Sequence, residues 1–208
     1  MNQTHTFLQR CHGAISSQQR KRIFRQQPVT IWLTGLSGAG KSTIAFELEA
    51  QLVSLGHACY VLDGDNIRHG LACDLGFEQK DRRENIRRVA HVAQLMNDAG
   101  LIVITALISP MREDRAMARD IIGRDKFIET YLFAPVETCA RRDPKGLYAK
   151  ARSGEIASFT GVSAPYEAPL DPELRIDTAT LSSAESVARV FAHLRETSLT
   201  TSGQEAGA

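Results

Sequence analysis

Paired cysteines are missing from this chain. Its four cysteines, Cys11, Cys59, Cys73 and Cys139, include no C-x-x-C pair, and none of the six histidines stands at zinc-finger spacing from them. That pattern reads as isolated thiols and imidazoles in a reducing compartment rather than as a metal site, and nothing in it favours a redox role for Cys11. The N-terminal stretch lacks the apolar core of a signal peptide, and no run approaches the roughly 18 apolar residues of a membrane span. A cytoplasmic location with no membrane partner is therefore expected. Charge of one sign is missing too. The 25 Lys and Arg against 24 Asp and Glu leave a net charge of +1, which argues against bulk affinity for nucleic acid or an anionic surface. Aromatics are few, with one Trp, four Tyr and eight Phe.

What remains is enough length and apolar content for a core. The 208 residues are 43% hydrophobic and 24% charged, ordinary for a soluble globular protein and incompatible with wholesale disorder. A chain of this size forms one large domain or at most two small ones, and buries roughly 70% of the surface its unfolded form exposes. Residues 1–28 are polar, Gln-rich and basic, with Arg20, Lys21, Arg22 and Arg25 close together; they read as a solvated, partly ordered arm.

From Val29 the pattern changes. Short apolar runs at 29–33, 58–62, 101–108 and 127–133, with a fourth-residue echo at 174–176, alternate with helical spacing at 44–55, 83–99, 112–122, 136–142 and 184–197. The Leu-Ile-Val-Ile run after Gly100 suits a strand buried on both faces. Repeated β-α units predict one α/β domain over 29–197, of the P-loop NTPase/kinase-like type: three α/β/α layers around a mainly parallel sheet. The stretch at about 144–172, rich in Gly, Pro and Ser, reads as a lid loop, and 198–208 as a disordered tail.

Right after the first strand stands Gly35-Leu36-Ser37-Gly38-Ala39-Gly40-Lys41-Ser42, followed by Thr43. This is the G-x-x-x-x-G-K-[ST] phosphate loop; with Gly at about 7% of residues, a chance match in such a chain is on the order of 1 in 100. Its glycines let backbone N–H groups turn toward the phosphates of ATP, and the helix N-terminus adds favourable potential. Lys41 would reach the β- and γ-phosphates and Ser42 would bind Mg²⁺. No N-K-x-D guanine reader is present, and the best buried strand ends in Ser109-Pro110 rather than in an acid. The acids come at the end of the second strand, as Asp63-Gly64-Asp65-Asn66. That suits a small-molecule kinase, in which a carboxylate positions an acceptor hydroxyl and takes its proton; a turn or helix N-cap role also fits one of the two.

Two basic clusters break the neutrality: Arg82, Arg83, Arg87 and Arg88 against Glu84, and Arg141, Arg142, Lys145, Lys150 and Arg152 against Asp143. At about 100° per residue, Arg82 and Asn85 share the stripe of Ile86, Val89, Val92, Ala93 and Met96, whereas Arg83, Arg87 and Arg88 fall off it. Inward polar groups at a helix start are costly without partners, so Arg82 and Asn85 are expected to touch ligand and the other three to face solvent. Phe77, Tyr148, Phe159 and Tyr166 lie in loop sequence; rings beside cations suit a nucleobase joined to an anion.

Taken together, these motifs resemble the adenylyl-sulfate kinase (APS kinase) family over nearly all of residues 29–177. The likeness rests on Thr30-Ile31-Trp32-Leu33-Thr34 leading into the phosphate loop, on 62–71, on Asp74-Leu75-Gly76-Phe77, on Asp81-Arg82 and 84–89, on Ile108-Ser109-Pro110, on 142–148, and on Phe159-Thr160-Gly161 with Tyr166-Glu167-Ala168-Pro169. The resemblance implies transfer of the ATP γ-phosphoryl group to the 3′-hydroxyl of adenylyl sulfate. It makes Asp65 the base or orienting group, and Asp63, with Ser42, the support of the metal and its waters. Arg68, Arg82 and Asn85 would hold the phosphosulfate and ribose side, with Ile108 and Lys145 on the same substrate side. Phe77 and Phe159 would sandwich the adenine, Ser109 matches a serine associated with a phosphoserine form, and Arg141 would lie near the ATP base. Direct in-line transfer is the simpler mechanism. Ala39 departs from a common serine, and Ser163 from a frequent acid. The family also implies a homodimer. Two other readings stay open: a P-loop kinase for another nucleotide-like acceptor, and a nucleotide-binding regulatory domain that transfers nothing.

Overall fold

The computed structural model describes residue 11 and residues 13–199; the other parts of the predicted arm and tail lie outside the described residues. Five strands form one sheet in the order β2-β3-β1-β4-β5: β1 (Thr30–Thr34), β2 (Cys59–Asp63), β3 (Ile102–Ala106), β4 (Phe127–Phe133) and β5 (Leu174–Asp177). Every pairing is parallel. The continuous apolar runs occupy the middle, as expected of strands covered on both faces: all five residues of β1 and all five of β3 are buried.

Period-two alternation divides the core into two layers. Ile31, Leu33 and Ile104 join Leu48, Leu52 and Leu194 on one face, where α2 (Lys41–Ser54) and α8 (Ser183–Thr197) lie. Trp32 and Val103 join Val89, Ala93 and Ala118 on the other, under α4 (Gln79–Asp98) and α5 (Arg112–Ile122). Trp32 is fully buried and stacks on Phe127 at 5.4 Å; truncating such a side chain costs about 3–5 kcal/mol. Helix ends follow local chemistry. α8 begins with a capping box in which Ser182 and Glu185 exchange bonds, whereas α2 begins at Gly40 with no side-chain cap.

Several expectations shift. The predicted irregular stretch at 144–172 contains a short helix, α7 (Leu147–Arg152), whose first N–H groups at Leu147 and Tyr148 both bond to Asp143. The six-residue α3 (Gly64–His69) was too short to show a period. α6 (Val136–Arg142) falls where helical spacing put it. The arm is less detached than its polarity suggested: α1 (Ser17–Phe24) leads to Gln26, which is 2% exposed, exchanges bonds with Ala58 and donates to the Gly100 carbonyl. Ser198 and Leu199, expected to open a disordered tail, are buried, and Ser198 accepts from the N–H of Gln27. A charge-rich segment can still dock through one amide and a few backbone bonds.

Candidate active site

The phosphate loop runs from the end of β1 to the start of α2, and its glycines are steric necessities. Gly38 sits at φ +77, and a Cβ there would come within 2.7 Å of the Cys139 carbonyl oxygen. Every carbonyl from Gly35 to Ala39 accepts a side-chain donor. Lys41 Nζ donates to Gly35 and Leu36 at 3.0 and 2.7 Å, Tyr148 Oη to Ser37 at 2.9 Å, Arg142 to Gly38 at 3.4 Å and Thr178 Oγ1 to Ala39 at 3.1 Å. Carbonyls held this way do not compete for the face that receives an anion. Lys41 is only 8% exposed, and burial lowers its amine from the usual 10.5 to about 8, with Lys145 pushing the same way and Cys139 and Asp63 opposing.

Asp63 takes the helix-capping role considered for the acidic pair and also meets the phosphate loop. Its Oδ1 caps α3 by accepting from the N–H groups of Asp65 and Asn66, and its Oδ2 accepts from Ser42 Oγ at 2.7 Å. Two hard oxygens thus meet beside the phosphate loop, a donor set that suits Mg²⁺, which takes few protein ligands and keeps waters and phosphate oxygens. Thr43 follows at the exposed side of α2. Asp65, in the first turn of α3, is exposed and ion-paired with Lys145 from the lid segment.

A second cluster gathers around Phe77, which is 61% exposed. The Arg68 guanidinium lies 4.3 Å from its ring centroid and that of Arg82 5.8 Å. Burial lowers both arginines from their ordinary values, and Arg68 lowers Arg82 further, yet neither approaches deprotonation. Arg82 donates to the Phe77 carbonyl, to the Ser158 carbonyl and to Thr160 Oγ1, at 2.7, 2.9 and 3.2 Å. It therefore ties Phe77 to the segment that carries Phe159. Asn85, one turn along α4, is 6% exposed with its Oδ1 buried and unpartnered, an acceptor that awaits a donor. Phe159 itself is 7% exposed and packs edge-on against Tyr148 at 4.9 Å, so its ring does not face Phe77 in this arrangement.

Ile108 and Ser109 follow β3. Thr34 donates to the Ile108 carbonyl at 2.8 Å. Ser109 is 3% exposed, has φ 39, and its Oγ accepts from Trp32 Nε1 at 3.1 Å. Arg141 bonds only to Thr138 on its own helix, whereas its neighbour Arg142 reaches the phosphate loop. Of the arginines expected to face solvent, Arg83 pairs with Glu113 and the buried Asp114, and Arg88 with Asp74 and Glu84. Their helical phase was right, but neighbouring elements supply acids beside them. Arg142, Tyr148, Thr178 and Arg115 were not singled out as site residues; only the 142–148 motif pointed to two of them. A cleft of about 650 Å³ lies between Leu36, the end of β4 and residues 161–168. Of the phosphate loop it touches only Leu36, and neither Lys41 nor the acidic pair lines it, so donor chemistry rather than volume points to the candidate site.

A parallel sheet with a phosphate loop after β1, a serine–aspartate pair beside it and an arginine-aromatic cluster across from it defines a P-loop phosphotransferase. The comparisons narrow the class. The model of the adenylylsulphate kinase family matches residues 27–177, and the chain belongs to that family. It is 53% identical over 182 residues to a probable adenylyl-sulfate kinase of Halalkalibacterium halodurans, covering 88% of this chain and 90% of that protein. It is 52% identical over 183 residues to the adenylyl-sulfate kinase of Vibrio cholerae, covering 88% and 85%. Among solved structures, the APS kinase of Mycobacterium tuberculosis in complex with AMPPNP and APS superposes with a TM-score of 0.78 at 48% identity, over 81% of this chain and 98% of that one.

Proposed function

We infer that this chain is an adenylyl-sulfate kinase, transferring the γ-phosphoryl group of ATP to the 3′-hydroxyl of adenylyl sulfate to give ADP and 3′-phosphoadenylyl sulfate. One structural observation carries the reading beyond family membership. The buried, unpartnered Asn85 Oδ1 lies on the same helix face as Arg82, whose guanidinium, with that of Arg68, borders the exposed ring of Phe77. An acceptor bearing a flat base, sugar hydroxyls and an anionic tail uses all of these groups at once; a simple sugar uses few.

In this reading Lys41 and the loop from Gly35 to Thr43 hold the ATP phosphates. Ser42 and Asp63 would support Mg²⁺, which when bound supplies neutralisation of the phosphate charge. Asp65 accepts the proton of the 3′-hydroxyl, and Lys145 shields its carboxylate until the acceptor arrives. Arg68, Arg82, Asn85 and Ile108 position the acceptor, and Phe77 stacks on its base. Phe159 joins that stack only if it leaves Tyr148. Ser109 supports the site from behind Trp32; with its hydroxyl buried, direct in-line transfer is favoured over a phosphoserine. Arg141 is retained at the ATP base end.

A homodimer is part of the proposal, supported by Val53, Leu55 and Tyr60, each more than half exposed; sedimentation measures it. Cytoplasmic location is supported by the free thiols of Cys59, Cys73 and Cys139. No helix among the described residues is long and apolar enough to cross a membrane. The test is ADP release from ATP with a panel of acceptors, with and without Mg²⁺. Release that depends on adenylyl sulfate and on the metal is expected; equal release with gluconate or other nucleotides would overturn the assignment.

A further inference from the structure

We propose that Arg115 is a positioning residue for phosphoryl transfer: from inside the protein it fixes the carbonyls of Ser109 and Glu167, and so sets where the end of the lid segment packs beside the end of the phosphate-loop strand. The proposal rests on the kinase reading above and adds to it a residue that touches neither substrate.

Arg115 lies in α5 and is 3% exposed. Burying a guanidinium costs several kcal/mol unless its donors are satisfied. One carboxylate would suffice to neutralise it, and Glu129 on β4 does so at 2.6 Å. The remaining fork is spent on two carbonyls from distant segments, Ser109 at 2.7 Å and Glu167 at 2.7 Å. Both mark places where the chain needs outside support. Ser109 is a non-glycine residue at φ 39, a conformation that costs about 1–3 kcal/mol and persists only when its surroundings enforce it. Glu167 ends the lid segment, where its own N–H bonds to the Pro110 carbonyl and its carboxylate accepts from the N–H of Arg112 at 2.8 Å.

These contacts close a ring. Thr34, the last residue of β1, has its Oγ1 2.8 Å from the Ile108 carbonyl oxygen and 3.0 Å from Tyr166 Oη. Tyr166 leads to Glu167, Glu167 to Arg115, and Arg115 back to Ser109. The ring joins the residue before the phosphate loop, the turn after β3 and the exit of the lid. Farther along the chain, Arg124 pairs with Asp120 at 2.8 Å on the exposed side, and that pair can be loosened without touching the ring.

The protein's one tryptophan reports on the same turn, since Trp32 Nε1 donates to Ser109 Oγ. Arg115→Lys replaces a three-way fork with a compact ammonium that cannot reach all three acceptors. In the full chain it is expected to lower kcat/KM for adenylyl sulfate by about 10- to 100-fold, the size of effect a small displacement of the reacting groups produces. KM for ATP stays near wild type, and the Trp32 emission shifts. Asp120→Asn leaves both readouts unchanged. Should Arg115→Lys fail to fold, Thr34→Val opens the ring at its opposite corner and is expected to give the same split. Wild-type kcat/KM for adenylyl sulfate and wild-type Trp32 emission per folded molecule in the folded variant would overturn the proposal, whatever the change in melting temperature. If the wild type itself shows no release dependent on adenylyl sulfate, the kinase reading fails, and the Trp32 spectrum still tests the placement.

Discussion

The phosphate end and the acceptor end of this site are built by opposite means. At the phosphate end, eight consecutive residues of the G-x-x-x-x-G-K-[ST] loop do most of the work. Their left-handed glycines, satisfied carbonyls and buried Lys41 leave little freedom. At the acceptor end, Asp65 and Phe77 are exposed, and they are held by Lys145, Arg68 and Arg82 from other segments. In the proposed function, the first is set before any ligand arrives, and the second is assembled from side chains that exchange partners when the acceptor binds. Preorganisation at one end and exchange at the other is a sensible division for an enzyme whose two substrates share an adenosine 5′-phosphoryl group.

This contrast predicts that mutations at the two ends separate cleanly. The largest effect belongs to Asp65→Ala, which should lower kcat by about 10²–10⁴-fold, the usual worth of a positioned base, while ATP affinity measured by titration stays within error. Equal loss of ATP binding would merge the two ends. Next comes Gly38→Ala, where the new Cβ meets the Cys139 carbonyl. Displacement of the loop should weaken ATP by about 100-fold and lower stability by about 1–3 kcal/mol, read from isothermal titration and thermal melts. Phe77→Ala should raise KM for adenylyl sulfate by about 10- to 100-fold, as expected for losing a stacking partner worth about 1–3 kcal/mol, with ATP unaffected. A larger change for ATP would reverse the assignment of the ends.

The smallest effect is a pH dependence. The Lys41 amine, lowered to about 8 chiefly by burial, loses its proton where a lysine in the unfolded chain keeps it. The unfolded state then binds more protons, so this group's contribution makes stability rise from about pH 8 toward its ordinary value of 10.5. Nucleotide affinity moves the other way, because the neutral amine cannot pair with phosphate. ATP should bind up to about tenfold more weakly at pH 9 than at pH 7, and Lys41→Arg should flatten the slope. A slope retained in that variant would place the titration elsewhere.

The same division governs what was legible before the fold was known. β1, β3 and α5 were plain, because continuous apolar runs and a clear helical phase are local signals. The burial of Asn85 was legible because its place on an apolar helix stripe is also local. Tyr148, named as a loop ring beside cations, instead donates to Ser37; Arg115 and Thr178 were missed because their partners, Glu167 and Ala39, lie far away in the chain. Nothing at those positions distinguishes a buried clamp from an ordinary helix or loop residue. The burial of Phe159 against Tyr148 escaped for the same reason, as did the docking of Gln26, a lone amide in a polar segment. Local chemistry described the phosphate end well, while the acceptor end required the fold.

The most direct measurement is the fate of labelled phosphate. With γ-labelled ATP, Mg²⁺ and adenylyl sulfate, the account predicts label in 3′-phosphoadenylyl sulfate in amounts equal to the ADP formed, and loss of that product in Asp65→Ala with ATP still bound. Label appearing only as inorganic phosphate, or product formed at an undiminished rate by Asp65→Ala, would contradict it.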